Sequence, residues 1–438
     1  MKKLYVYIVL FCLPVTIYAQ EVLDLKTCLE IGLQENFSVR ISKNSEQVTH
    51  NNVTLGNAGY LPTLDLNASY AGSLNDTETT ARETGIASKT TGVYDQTVNV
   101  GLSLNWTIFD GFNIQTNYQR LKELEKQGET NTRIAIEDFI ANMTAEYYTF
   151  IEEKKRLKNL RYAVSLSKER LRIVEARYNI GSFSRLDLQQ ARVDFNADSS
   201  KYMKQQELLH SSRIRFNELL AHEDVNRDIN LADSVIDVNK LFLFEELWKA
   251  TMETNADLLK AEQNQTLAQL DLKTVNSRNY PYLKFSTGYG YTHNKYDVAA
   301  NSKRTNWGLN GTVTVGINLF NGNRKRERRN ANIGIENARL QRQQLMQSLQ
   351  ADFNNLWQAY KNNIEVLKLE QENLISAKEN HEIAMDRYML GDLSGIEMRE
   401  AQKSLLDAEE RILSAEYDTK LCEISLLQIS GTITQYLK

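Results

Sequence analysis

The chain has 438 residues, of which 42% are hydrophobic and 25% charged, and only three are prolines. That length could hold two or three ordinary domains, but so few breakers imply long uninterrupted elements. With 52 basic against 56 acidic residues the formal charge is −4, a balance that excludes the electrostatic footprint of a nucleic-acid binder.

Met1-Lys-Lys3, an apolar stretch from Leu4 to Val15 and the small residue Ala19 have the three regions of a secretory signal peptide. The apolar core is short for a membrane span, so cleavage after Ala19 is expected, leaving a net charge of −6 once Lys2 and Lys3 are gone. Cys12 leaves with this leader. Cys28 and Cys422 remain near opposite ends, without metal-ligand spacing. They could form a disulfide in an oxidising compartment or stay as buried thiols. Cys12 follows Phe11 and Cys28 follows Thr27 well past the cleavage site, which does not support a lipid-anchored N-terminus.

Beyond the leader the chain is duplicated. Tyr60-Leu-Pro62 and Asn279-Tyr-Pro281 lead similar segments 219 residues apart, and Asn36 and Asn255 keep the same offset. Ile108-Phe-Asp-Gly111 matches Leu319-Phe-Asn-Gly322 at 211, and Arg177-Tyr-Asn-Ile-Gly181 matches Arg387-Tyr-Met-Leu-Gly391 at 210. A loop between Tyr70 and Ile108 is therefore shorter in the second copy. The repeats are assigned to 20–221 and 243–431, with a linker at 222–242 and a tail at 432–438.

In chain order each repeat opens with helix and then alternates. Leu64, Leu66, Ala68 and Tyr70 oppose Asp65, Asn67 and Ser69, and a second run extends from Val98 to Ile108. The second copy repeats this from Leu283 to Tyr291 and from Trp307 to Leu319. Period two predicts strand hairpins at 60–109 and 280–320. Segments of about ten residues, apolar on one face with aromatics near the ends, fit transmembrane strands, although a soluble sandwich would alternate too. Four strands cannot close a membrane barrel, so a membrane reading requires two or three copies. The polar tracts Asn75 to Tyr94 and His293 to Thr305 are expected as external loops.

From Gly111 to Gly181, and from Gly322 to Gly391 apart from Gly334, breakers are almost absent. Each run of about 65 residues would form a helix roughly 100 Å long. Ile136, Met143, Phe150, Leu157, Val164, Leu171 and Tyr178 recur every seven residues, as do Met346, Phe353, Tyr360, Leu367, Leu374, His381 and Tyr388. A strict heptad predicts coiled-coil packing, with His381 a packed core residue. Returning helices are expected over Leu186–Leu220 and Ile396–Ile429, with turns near Gly181 and Gly391.

The turn segments read Arg177-Tyr-Asn-Ile-Gly-Ser-Phe-Ser-Arg-Leu-Asp187 and Arg387-Tyr-Met-Leu-Gly-Asp-Leu-Ser-Gly-Ile-Glu397. With the duplicated order, the proline-led strands and the Phe-x-Gly exits, the chain resembles the TolC-type outer-membrane efflux proteins over nearly all of its mature length. The resemblance implies a mixed membrane protein: a homotrimer whose four strands per chain form a shared twelve-stranded β-barrel, continuous with a coiled-coil α-helical barrel across the periplasm. It implies a passive efflux duct docking on a periplasmic adaptor and an inner-membrane transporter.

Residue by residue, it implies an acidic constriction at Glu397 and Glu400, whose spacing places both on one helix face and whose six trimer copies would attract cations. It also implies a closed-state latch between Asp187 and Tyr388, and adaptor contacts at Gly181, Ser184, Gly391 and Ser394. The sequence departs at Leu393, where the family latch has an arginine. Glycine suits such turns by permitting positive φ, which competes with the contact role. Rival readings are an exit duct of a type I protein-secretion machine and a periplasmic coiled-coil protein with a soluble β-domain and no channel.

Arg324-Lys-Arg-Glu-Arg-Arg329 is the densest charge run. It follows the fourth strand, where a solvated first helical turn or lipid phosphates would meet it. Gly288-Tyr-Gly290 lacks the third glycine of a phosphate loop. The five histidines show no ligand spacing, and no nucleophile, base and orienting group assemble. Neither cofactor, metal nor catalysis is expected.

Overall fold

A computed structural model describes residues 22–239, 241–298 and 301–437; the leader at 1–19, with Cys12, lies outside them. The elements run β1 Val22–Leu23, α1 Leu25–Glu35, α2 Phe37–Asn52, α3 Leu55–Ala58, β2 Thr63–Thr80, β3 Ala87–Asp110, α4 Asn113–Asn179 and α5 Arg185–Leu219. The series then recurs as β4 Asn230–Leu231, α6 Phe244–Thr254, α7 Ala256–Ser277, β5 Tyr282–Lys295, β6 Lys303–Gly316, α8 Asn323–Leu390 and α9 Gly395–Ile429, closed by a 3-10 turn at Ile433–Leu437. The long helices α4 and α8 have 67 and 68 residues, and α5 and α9 have 35 each. The fold divides into two compact units: one holds the described residues through Arg40, Ala135–Asn255 and the chain from Leu349, the other Ile41–Ile134 and Ala256–Ser348.

The second unit is built on a four-stranded antiparallel sheet in the order β2-β3-β5-β6. Pro62 and Pro281 stand directly before β2 and β5, where a missing N–H disturbs no ladder. Register aligns the alternation across the sheet. Leu66 pairs Leu102, which pairs Tyr289, which pairs Leu309. On the other face the row is Asp65, Ser103, Gly288 and Asn310. The apolar face is bare, with Leu66 72% and Leu309 77% exposed. A soluble sandwich would cover it.

Two strand boundaries differ from expectation. The tract Asn75 to Tyr94, expected as a loop, is mostly ladder: Asn75 pairs Val93, and Glu78 faces Lys89 across the strands. Its threonines are β-branched and suit a pleated surface, and opposite charges help the pairing. The chain reverses only near 81–86, where the Gly85 N–H donates to the Ala81 carbonyl. In the second hairpin the strands likewise continue to Lys295 and from Lys303, whereas β6 stops at Gly316, leaving Ile317 to Phe320 outside the sheet. A bulge between Thr107 and Phe109 sets Phe109 opposite Leu283, a register that period-two counting through Ile108 does not foresee.

The first unit holds the main core. Phe216 and Phe353 are fully buried, Phe216 between Tyr147 and Phe150, Phe353 against Phe244 and Trp248. Truncating either would cost on the order of 3–5 kcal/mol. Asn36 and Asn255 have one shared role. Asn36 Nδ2 donates to the Leu219 carbonyl at the end of α5, and Asn255 Nδ2 to the Ile429 carbonyl at the end of α9. Asn36 Oδ1 also accepts from the Ser38 and Val39 N–H groups that start α2. Inside the stretch assigned to a linker, β4 pairs in parallel with β1. Glu423 accepts from Lys420, the Tyr436 hydroxyl and the Asn239 N–H, which fastens the end of that stretch and the C-terminal turn to α9. Cys28 and Cys422 are free thiols rather than a disulfide.

The heptad stripes fare differently. In α8, Phe353, Tyr360, Leu367, His381 and Tyr388 are buried and Met346 and Leu374 half-buried; in α4, Met143 and Phe150 are buried on the stripe, but beyond them the buried positions drift to Ala163, Ser167, Arg170 and Val174, and Tyr178 is exposed. The cause is that α4 packs on two sides. Leu171 and Val174 meet Leu188 and Ala191 of α5, while Ile173 meets the cluster of Tyr388 and Met398. A single seam cannot serve both neighbours.

Gly111 has φ 71°, and a Cβ there would collide with the Ser277 carbonyl. Gly111→Ala should therefore destabilise the strand-to-helix exit by roughly 1–3 kcal/mol or more, measurable as a lower melting temperature of the purified protein. His381 is buried with Nε2 unpartnered, and burial holds its pKa below the ordinary value. The unfolded chain takes up this proton near pH 6.5 and the folded one only lower, so stability falls as pH drops below that value. His381→Leu should narrow the melting-temperature gap between neutral and mildly acidic buffer; an unchanged gap would refute this assignment.

Candidate functional site at the helical turns

Local chemistry explains the repeated turn motif. At the end of α4 the Ser182 N–H donates to the Arg177 carbonyl and the Gly181 N–H to the Tyr178 carbonyl. At the end of α8 Asp392 and Gly391 make the same bonds to Arg387 and Tyr388. These are Schellman closures, and Gly181 and Gly391 have φ of 76° and 91°, the left-handed geometry that favours glycine. Ser184 and Ser394 then cap the returning helices, each hydroxyl accepting from the N–H three residues on. Asp187 and Glu397 complete reciprocal capping boxes by accepting from the Ser184 and Ser394 N–H groups.

The carboxylates expected to act at long range are thus engaged locally. Hydrogen bonds from Ser184 and Ser394 hold the Asp187 and Glu397 carboxyls below the usual carboxylate range. Glu400 is exposed and lines the cleft between the two turns, as do Asp187, Tyr388, Gly391 and Ser394. This cleft has a volume of about 800 Å³. Glu397, one helical turn away, is not part of its wall.

The structure brings Asp187 and Tyr388 to one cleft without joining them. The Tyr388 hydroxyl is buried and has no hydrogen-bond partner, and burial pushes its pKa up. Asp187 is occupied by the Ser184 cap, which accounts for the missing bond.

Sequence reasoning missed the charged residues that do cross between the hairpins. Arg399 of α9 makes a bidentate pair with Asp198 of α5, at 2.8 and 2.9 Å, and lies 4.0 Å from Asp194. Asp194 also takes Arg170 of α4, a pair that is almost fully buried. The Asp198 hydrogen bond raises the Arg399 pKa further. Arg177 adds a second tie: its guanidinium lies over the Phe183 and Tyr388 rings and donates to the Tyr388 carbonyl at 3.3 Å, near the negative end of α8. The four-residue spacing of Asp194 and Asp198 was the available signal, but nothing in the sequence names their partner.

No group of three or more His, Cys, Asp or Glu residues that could hold a metal ion occurs among the described residues. The exposed apolar side chains at the tips recur in both halves: Ile180 and Leu186 in the first, Leu390 and Ile396 in the second.

Comparisons with known proteins bear on the fold and the family. Residues 29–222 and again 247–432 match the model of the outer membrane efflux protein family. The chain is 21% identical over 395 residues to the outer membrane protein TolC of Vibrio cholerae, covering 87% of this chain and 85% of that protein. Its fold is similar to the CmeC outer membrane channel of Campylobacter jejuni, with a TM-score of 0.74 and 19% identity over 93% of this chain and 85% of that one. It is also similar to the open state of the MtrE outer membrane channel of Neisseria gonorrhoeae, with a TM-score of 0.69 and 18% identity over 94% and 89%. With its bare apolar sheet face, its two long helical hairpins and both halves matched by one family, this chain belongs to the outer membrane efflux protein family and is an efflux channel of the outer membrane.

Proposed function

We propose that three copies of this chain form one passive export duct, with a shared twelve-stranded barrel in the outer membrane and a helical barrel in the periplasm. The observation that carries this reading is the open sheet: β2 and β6 are edges, and both expose apolar side chains on one face. An unpaired edge in hydrocarbon costs several kcal/mol per backbone group, so neighbouring copies supply the missing partners. Twelve strands enclose a wider lumen than eight, and the row of Asp65, Ser103, Gly288 and Asn310 suits a wet interior.

Energy comes from partners. The tips offer Gly181, Ser184, Gly391 and Ser394 with the exposed Ile180, Leu186, Leu390 and Ile396 beside them, a surface for a periplasmic adaptor that connects to an inner-membrane transporter. Drug, metal-ion and protein cargo all remain compatible, including the exit duct of a type I secretion machine, because cargo is selected mainly by the pump. The duct itself carries out no catalysis.

At the constriction Glu400 is the freer member of the acidic pair, while Glu397 shares its carboxylate with the cap. Closure in this chain rests on Arg399, Asp198, Asp194 and Arg170, which replace the arginine lacking at Leu393, and the unpartnered Tyr388 hydroxyl stays available to Asp187 if the tip rearranges. Removing one member of such a buried pair costs on the order of 3–5 kcal/mol. Arg399→Gln or Asp198→Asn should therefore raise the single-channel conductance of the reconstituted trimer, and the double variant should add little to either. A stable trimer with unchanged conductance would dismiss this lock. Glu400→Gln should weaken cation selectivity more than Glu397→Gln in the same bilayers; equal or absent effects would remove the ring. A detergent-requiring trimer in the outer-membrane fraction tests the architecture, and release with soluble periplasm would defeat it.

A further inference from the structure

The run Arg324-Lys-Arg-Glu-Arg-Arg329 has no role in the fold that its chemistry explains. It occupies the first two turns of α8, whose first turn holds no acidic residue. Cations at a helix N-terminus oppose the macrodipole and weaken the helix. The matching start of α4, Asn113-Ile-Gln-Thr-Asn-Tyr118, is uncharged and forms an equally long helix. The charge is therefore an addition to this half alone.

The run is also not neutralised from within. Its one acid, Glu327, pairs with Arg278 at 2.8 Å, which brings a sixth cation to the group. Lys325, Arg326, Arg328 and Arg329 are exposed and make no ion pair among the described residues. Arg324 reaches Asn279 through one nitrogen, while its buried Nη2 has no hydrogen-bond partner. An acceptor of negative charge is missing here.

Position indicates which acceptor. The bare face of β6 carries Trp307, Leu309, Val313 and Val315. The ten residues from Trp307 to Gly316, the end of β6, rise about 23 Å on a strand tilted by about 40°, close to the height of the apolar band of an outer-membrane barrel. Leu319 and Phe320, each 88% exposed, follow outside the sheet, and Phe109, Phe112 and Tyr280 stack edge-to-face at the neighbouring strand ends. Aromatics mark the interface level, and the basic run begins four residues beyond Phe320 on the helical side. That side is the periplasm.

We propose that residues 317–329, with Arg278, form an anchor for anionic phospholipid: Leu319 and Phe320 enter the interface, and Arg324, Lys325, Arg326, Arg328 and Arg329 bind headgroup phosphates of the periplasmic leaflet. The proposal rests on the outer-membrane placement of the barrel. Each basic side chain near such a surface favours anionic lipid by about fivefold, and three copies would gather a ring of these lipids around the base of the barrel.

The test uses the full-length protein in nanodiscs of phosphatidylcholine alone or mixed with phosphatidylglycerol, comparing wild type with K325Q/R326Q/R328Q/R329Q. Phosphatidylglycerol retained on the protein after gentle delipidation should exceed its bulk share several-fold in the wild type and approach it in the variant. Salt of about 1 M, where the screening length is about 3 Å, should erase the excess. Equal retention by both proteins, or an excess that survives salt, overturns the proposal. So does a variant that loses its trimer equally in both lipids, because the run would then bind another copy of the chain. Ion conductance of the wild type in planar bilayers reads the channel assignment separately: a conducting trimer without lipid enrichment defeats only the anchor.

Discussion

Backbone hydrogen bonding in hydrocarbon is the constraint on which the rest of this protein depends. A sheet of four strands satisfies its interior ladder but leaves the outer groups of β2 and β6 without partners, and lipid offers none. The apolar face bare in the single chain and the polar rows behind it follow the same solvent logic, inverted relative to a soluble sandwich. So does the placement of Pro62 and Pro281 before the strands, where a missing donor costs no ladder bond.

At the far ends of the long helices another balance holds. The Schellman closures and capping boxes give each of the two turns its own set of local hydrogen bonds. The hairpins are joined here by charge, through Arg399 with Asp198 and Asp194 and Arg177 over the Tyr388 ring, and by the apolar contact of Ile173 with the cluster of Tyr388 and Met398.

Much of this was legible in the sequence. Alternation located the strands because each presents one apolar and one polar face, and the scarcity of proline located α4 and α8 because a proline would break helices of 67 and 68 residues. Polarity misled at Asn75 to Tyr94, where threonine-rich segments pair as strands beyond the apolar band. The heptad count held along α8 and as far as Phe150 in α4, and slipped beyond it, where two packed faces impose two registers. The turn residues were recognised as a motif, but the roles assigned to Asp187 and Glu397 overlooked that Ser-x-x-Asp and Ser-x-x-Glu are themselves capping signals. Arg399 with Asp198 and Asp194 escaped because pairing across some 200 positions leaves no local trace, and Arg170 with Asp194, 24 positions apart on two helices, has no helical spacing to reveal it.

Asn36 shows how strictly one short side chain can be specified. Its amide oxygen opens α2 while its amide nitrogen closes α5 on the Leu219 carbonyl. Aspartate could keep the first bond but would turn a second acceptor toward that carbonyl; serine is too short to span both. Among the usual capping residues only asparagine carries a donor and an acceptor on one planar group, so serine, threonine or aspartate cannot replace it in this joint between a helix start and a distant helix end. Its counterpart Asn255 makes the same tie to Ile429, and the pair fixes where each returning helix must stop.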